Sequence, residues 1–129
     1  RAVRCIKFYE GFHQKRHYPY IGYGHRLLPG ERLTWRLTEK QADSLLRSDL
    51  RKLCALFRSY GKDSLLLATL SYNVGPYKVL GNSSIPESRL IKKIKAGNRN
   101  FQKEYLDKGK VVASISRRRW TELKLLLQS

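Results

Sequence analysis

Glu10 is the residue of this chain best placed for acid–base chemistry. It closes an apolar helical stretch, and Gly11 follows at once, then a run rich in aromatics, glycines and histidines from Phe12 to His25. A carboxyl at such a junction can stand at the lip of a cleft and donate a proton to a leaving group. A glutamate ending a helix is, by itself, equally well explained by a surface salt bridge. His13 and His17 come next, and imidazole is the side chain whose ordinary titration lies near neutrality. Either can act as a base toward water, and either can be a solvated residue of a basic loop. No carboxylate lies between Gly11 and Tyr20. Tyr18, Tyr20 and Tyr23 offer flat faces for a sugar ring or, beside Pro19, an aromatic core for a small lobe.

Metal chemistry has little support. No CxxC and no His/Cys cluster with zinc-ligand spacing occurs, so no metal or other cofactor is expected. Cys5 and Cys54 fit either a disulfide or two small buried apolar groups.

The elements that must position Glu10 can be read from periodicity. Ala2, Cys5, Ile6 and Tyr9 share one helical face from Arg1 to about Glu10, and Gly11 stops it. Tyr18–Gly24 predicts a short hairpin and Leu28-Pro29-Gly30-Glu31 a turn. Thr38-Glu39-Lys40-Gln41 is a capping box opening a long amphipathic helix to about Ser59, with Gly61 at its end. Asp63 is the expected cap of a buried helix over 64–74, ended by Gly75-Pro76. Ser84-Ile85-Pro86-Glu87 predicts a second capped helix as far as Ala96. A short helix over 100–106 and a last one over 116–127 follow, the last with Trp120, Leu123 and Leu127 turned inward.

At 129 residues the chain suits one domain, and no stretch approaches the roughly 18 apolar residues of a membrane span. It opens in Arg1-Ala2-Val3-Arg4 without a signal-peptide pattern, which decides nothing about export. Lys and Arg number 27 against 10 acids, a formal net charge of +17. Such a field draws polyanions, whether cell-wall polymer, nucleic acid or acidic membrane. No helix-turn-helix pattern, zinc finger or aromatic RNA-binding block is present, so no specific nucleic-acid partner is expected.

Four blocks in order carry more than any one of them. Glu10-Gly11, Ile21-Gly22-Tyr23-Gly24-His25, Leu70-Ser71-Tyr72-Asn73-Val74-Gly75-Pro76, and Ser116-Arg117-Arg118-Arg119 with Glu122 resemble four landmarks of the phage-type lysozymes and endolysins, over nearly the whole chain. The resemblance implies an α+β, mainly α, lysozyme-like domain over 1–129: a β-hairpin lobe at about 12–37 and a helical lobe of 38–129 plus the helix 1–10, around a cleft. It implies a monomeric muramidase whose partner is peptidoglycan, working in the periplasm or outside the cell. Glu10 would protonate the glycosidic oxygen between N-acetylmuramic acid and N-acetylglucosamine. Tyr23, Arg26, Tyr72, Asn73 and Ser88 would contact glycan, with Asn73 alternatively capping the helix before Gly75. His25 resembles a mainly structural position, and Arg117–Arg119 either a solvated helix start or a binder of stem-peptide carboxylates.

One departure matters most. In the family an aspartate and a threonine hold the attacking water, a group on the opposite face of the sugar from the acid. Here Tyr20 stands in the threonine slot, the aspartate is absent and the hairpin is shorter. Three readings follow: His17 or His13 as base, Glu10 alone with water held by Tyr20 and backbone, or a glycan-binding module with little or no catalysis. The length and these departures resemble the short lysozyme-like proteins of conjugative elements.

Overall fold

Helix α1 (Ala2–Glu10) buries Ala2, Cys5 and Ile6 and ends at Gly11, whose φ of 68° reverses the chain. Its last turn feeds directly into the hairpin. The computed structural model describes residues 1–107 and 113–127. By contacts the chain divides into two units, the first essentially residues 3–52 and the second residues 53–129. The division falls inside α2 (Glu39–Leu56). It therefore differs from the expected lobes, because α1 groups with the hairpin rather than with the later helices.

In the first unit, β1 (Tyr20–Ile21) and β2 (His25–Arg26) pair antiparallel, Tyr20 opposite Arg26 and Ile21 opposite His25. Alternation puts Ile21 and His25 inside and Tyr20 and Arg26 outside. A 3₁₀ turn at Lys15–His17 and a cis Tyr18–Pro19 bond lead into β1. The Thr38 capping box forms as expected: Thr38 Oγ1 accepts from Gln41 N at 3.1 Å, and Gln41 Oε1 from Thr38 N at 2.9 Å. Ala42, Leu46 and Leu50 then line the buried face of α2, which ends at Leu56 rather than Ser59.

The second unit is helical. A 3₁₀ stretch (Arg58–Asp63) precedes α3 (Ser64–Val74), whose residues Leu66 to Ser71 are all buried. Each of the leucines among them contributes about 1.5–3 kcal/mol of transfer free energy. Around α3 lie α4 (Tyr77–Leu80) and α7 (Ala113–Leu126), with α5 (Arg89–Lys95) and α6 (Gln102–Leu106) completing the unit.

Several expectations are corrected here. Asp63 does not cap α3 through its side chain; it is buried and held bidentately by Arg99 at 2.6 and 3.0 Å. Pro76 starts the unforeseen α4 rather than only ending α3. The Ser84 box does not open a helix, because Asn82 Oδ1 accepts from the Ser84 and Ile85 amides and closes a turn there. α5 begins five residues later, capped by Ser88. On α7 the inward residues are Arg118, Arg119, Glu122, Leu123 and Leu126, while Trp120 is exposed and Leu127 only half-buried.

Candidate active site

The hairpin has to turn within three residues and let α1 come close, and two glycines allow it. Gly22 (φ 57°) lies against Ala42 and Leu37, where a Cβ would be 3.2–3.3 Å from their side chains. Gly24 (φ 100°) faces Glu10 itself: a Cβ there would stand 2.7 Å from Glu10 Oε1. The positive φ favours glycine at both, and a side chain at position 24 would push the Glu10 carboxyl aside. The Glu-Gly and Gly-Tyr-Gly blocks are thus two halves of one contact.

Glu10 is half-buried, its side chain 17% exposed, so the carboxyl is walled on one side and reachable on another. His13 Nε2 stands 3.6 Å from Glu10 Oε1. His13 is pinned by its backbone, which donates to Gly22 O at 2.7 Å in an isolated bridge. Its ring lies edge-on to His17 at 4.9 Å between centroids and 6.2 Å from the Tyr20 ring. Burial pushes the His13 imidazole below its ordinary pKa and outweighs the Glu10 carboxylate, which pulls the other way. Its Nδ1 is buried and has no hydrogen-bond partner.

His17 does not fit the role of base. Its Nδ1 accepts the Gln14 amide at 2.8 Å and so closes a miniature capping box on the 3₁₀ turn. A neutral imidazole held this way carries its proton on Nε2 and has no lone pair left for water. His13, committed to neither role by its spacing alone, is the ring that meets Glu10, His17 and Tyr20 together. Only the His13–Gly22 bridge reveals this, and a bridge between a loop and a turn leaves no periodic signal in the sequence.

Tyr20 is 41% exposed on the outer face of the hairpin, with Arg26 as its cross-strand partner. Tyr23 is differently employed. Its hydroxyl donates to Glu39 Oε1 at 3.1 Å, its ring packs edge-on to Phe12 and Lys7 lies over its face at 5.0 Å. Lys7 also pairs with Glu39 and Asp43 at 2.9 and 2.5 Å, tying α1 to α2. Tyr23 is thereby a joint between elements rather than a free sugar platform. His25 is structural as expected: Asp49 and Glu31 take its two nitrogens at 2.6 and 2.8 Å. Burial opposes protonation, but the two carboxylates overcome it and hold His25 above its ordinary pKa.

The remaining expected contacts belong to the second unit. Asn73 Oδ1 accepts from Arg119 Nη2, so its carbonyl is engaged in packing. Arg119 is fully buried and, with Arg118 and Tyr105, converges on the buried Glu122 at 2.5, 3.1 and 2.8 Å. Arg118 and Arg119 are therefore core residues, not a solvated helix start. Ser88 is buried, donating to Val79 O at 2.7 Å and accepting from Ile91 N at 3.2 Å, which leaves it a capping job in place of a glycan contact. Tyr72 is half-buried. Cys5 and Cys54 form no disulfide. No group of His, Cys, Asp or Glu able to hold a metal occurs among the described residues, and no helix described is long and apolar enough to cross a membrane.

Comparison with known proteins agrees with this arrangement. The phage lysozyme family profile matches residues 7–122, from the last turns of α1 to Glu122 in α7. An endolysin from Escherichia coli O157:H7 phage FAHEc1 shares the fold, with a TM-score of 0.69 at 20% identity over 98% of this chain and 90% of that one. No curated protein matches. With a mainly helical fold, a two-stranded hairpin against α1 and a family match spanning both, the chain belongs to the phage lysozyme family, whose members hydrolyse peptidoglycan.

Proposed function

We propose that the protein is a muramidase that cleaves the β-1,4 bond between N-acetylmuramic acid and N-acetylglucosamine, with Glu10 as its general acid. The observation that carries this reading is the seat of Glu10: a half-buried carboxyl at the end of α1, against the Cβ-less backbone of Gly24 and beside His13. Glu10 protonates the glycosidic oxygen as the C–O bond breaks. Water adds to the anomeric carbon, and the proton it releases returns to the carboxylate.

The chain lacks the family's aspartate, and His17 is used up by its turn. Water is then held by the Tyr20 hydroxyl and the hairpin backbone, with Glu10 the one essential acid. His13 is a positioning residue that fixes the Glu10 carboxyl. Arg26 of the first unit and Tyr72 of the second are each expected to contact glycan; the Tyr23 hydroxyl, the Asn73 carbonyl and Ser88 are engaged within their own units. The reaction needs neither metal nor cofactor, the protein works as a monomer, and its substrate places it in the periplasm or outside the cell.

Mass spectrometry of fragments released from purified peptidoglycan tests the bond. Muropeptides with reducing muramic acid ends are expected. Reducing glucosamine ends would assign a different bond, and retained binding to peptidoglycan without any fragments would make the protein a docking module that keeps the fold.

A further inference from the structure

Trp120 is out of place for a core helix. Its neighbours Arg118, Arg119, Glu122 and Leu123 are buried, yet Trp120 itself is 58% exposed. Beside it lies an open hollow of about 460 Å³ between α6 and α7, lined by Gln102, Trp120, Thr121, Leu123, Lys124 and Leu127. That volume falls within the range of small-ligand sites. None of these six residues has a part in the cleavage described above.

The chemistry of the lining is selective. An exposed indole presents a flat π face with negative charge density. The axial C–H face of a pyranose is apolar and carries slight positive charge, so the two stack. Leu123 and Leu127 continue the apolar floor, and Gln102 brings an amide that can both donate to and accept from an N-acetyl group or a ring hydroxyl. Lys124 adds a cation at the rim, and among the described residues the lining has no carboxylate. Indole, amide and ammonium without an acid match a sugar that carries carboxylates nearby, which is what the stem peptides of peptidoglycan supply. A chain with a net charge of +17 favours the same polymer.

We propose that the α6–α7 hollow around Trp120 is a second glycan-binding site, which holds an uncleaved stretch of N-acetylated, stem-peptide-bearing glycan while another stretch is processed. The inference rests on peptidoglycan being the substrate, and its function is adhesion to the insoluble wall rather than turnover. An enzyme acting on a solid polymer gains from such a site because rebinding after each cleavage becomes local.

Two readouts test it. The chain has two tryptophans, Trp35 and Trp120, so a Trp35→Phe protein reports on Trp120 alone. Titration with tri-N-acetylglucosamine is expected to shift its emission to the blue and saturate. Co-sedimentation with purified peptidoglycan sacculi is then compared for Glu10→Gln and Glu10→Gln/Trp120→Ala. Loss of the indole is expected to weaken binding about tenfold, and Trp120→Phe to stay within about threefold of the parent. With Glu10 intact, Trp120→Ala should cleave short soluble glycan fragments at the unaltered rate and melt at the unaltered temperature.

Undiminished sacculus binding with silent Trp120 emission overturns the proposal. A soluble-fragment rate that falls in step with binding also overturns it, since Trp120 would then serve cleavage. So does a concentration-dependent dimer abolished by Trp120→Ala, which would make a second copy the occupant. If no protein releases fragments at all, the muramidase reading fails, while emission and sedimentation still decide this one.

Discussion

At the scale of single residues, function depends on what each side chain has left to give. His17 and His13 are interchangeable on paper, four residues apart in a basic loop with equal claim to be a base. One backbone hydrogen bond separates them: His17 Nδ1 is taken by the Gln14 amide, and His13 carries its Nε2 to Glu10. His17→Ala should therefore leave fragment release within about threefold of wild type, since only a turn is loosened, whereas loss of a general base costs about a hundredfold or more. A loss of that size would restore His17 as the base. The Ser88 hydroxyl is likewise engaged in capping, and the Asn73 carbonyl in packing against Arg119. The place of Glu10 at the end of α1 was legible from its sequence context; the approach of His13 was not, because a 3.6 Å contact across a turn leaves no trace in residue spacing.

At the scale of elements, the sequence was most readable where one strong local signal had no rival. The Thr38 box formed with both reciprocal bonds, and the Gly11 stop came where expected. The Ser84 box carried the same letters and failed, because Asn82 offered those amides a closer acceptor and Ser88 took the cap. In α7 the hydrophobic pattern misled, since its inward stripe includes two arginines and a glutamate. A buried Arg–Glu pair hides from any reading that treats charge as surface.

The hairpin is fastened to α2 by His25, and this has a signed consequence. With its folded pKa raised above the ordinary 6.5, His25 contributes its stabilisation fully at pH below 6.5 and loses it as pH rises through the folded value. His13, held low by burial, works in the opposite sense, contributing more as pH rises. The difference between wild type and His25→Gln isolates the first effect. Melting temperatures from pH 5 to 9 should show wild type losing stability over the upper part of the range, with that limb flattened in the variant. Equal slopes would mean that the Asp49–His25–Glu31 contact does not couple to folding.

At the scale of the whole molecule, most of the few acids are engaged in ion pairs. Glu31, Glu39, Asp43, Asp49, Asp63, Glu87 and Glu104 are each held in ion pairs that join one segment to another, and Glu122 pairs with Arg118 and Arg119 of its own helix. The excess of lysine and arginine is left to face outward, a surface suited to an anionic wall. Composition gave that attraction from the start but could not choose among polyanions. The choice came from the family match and from a carboxyl seated on a glycine hairpin.

The central claim is that this fold cleaves glycan with Glu10 and without the family's second carboxylate. Its most direct test is the rate of soluble fragment release from purified peptidoglycan by Glu10→Gln beside wild type, with circular dichroism confirming that both are folded. Measurable release by wild type and a loss of about 10²–10⁴-fold in the variant are expected. A variant that keeps the wild-type rate, or a wild type that releases nothing, would contradict that claim.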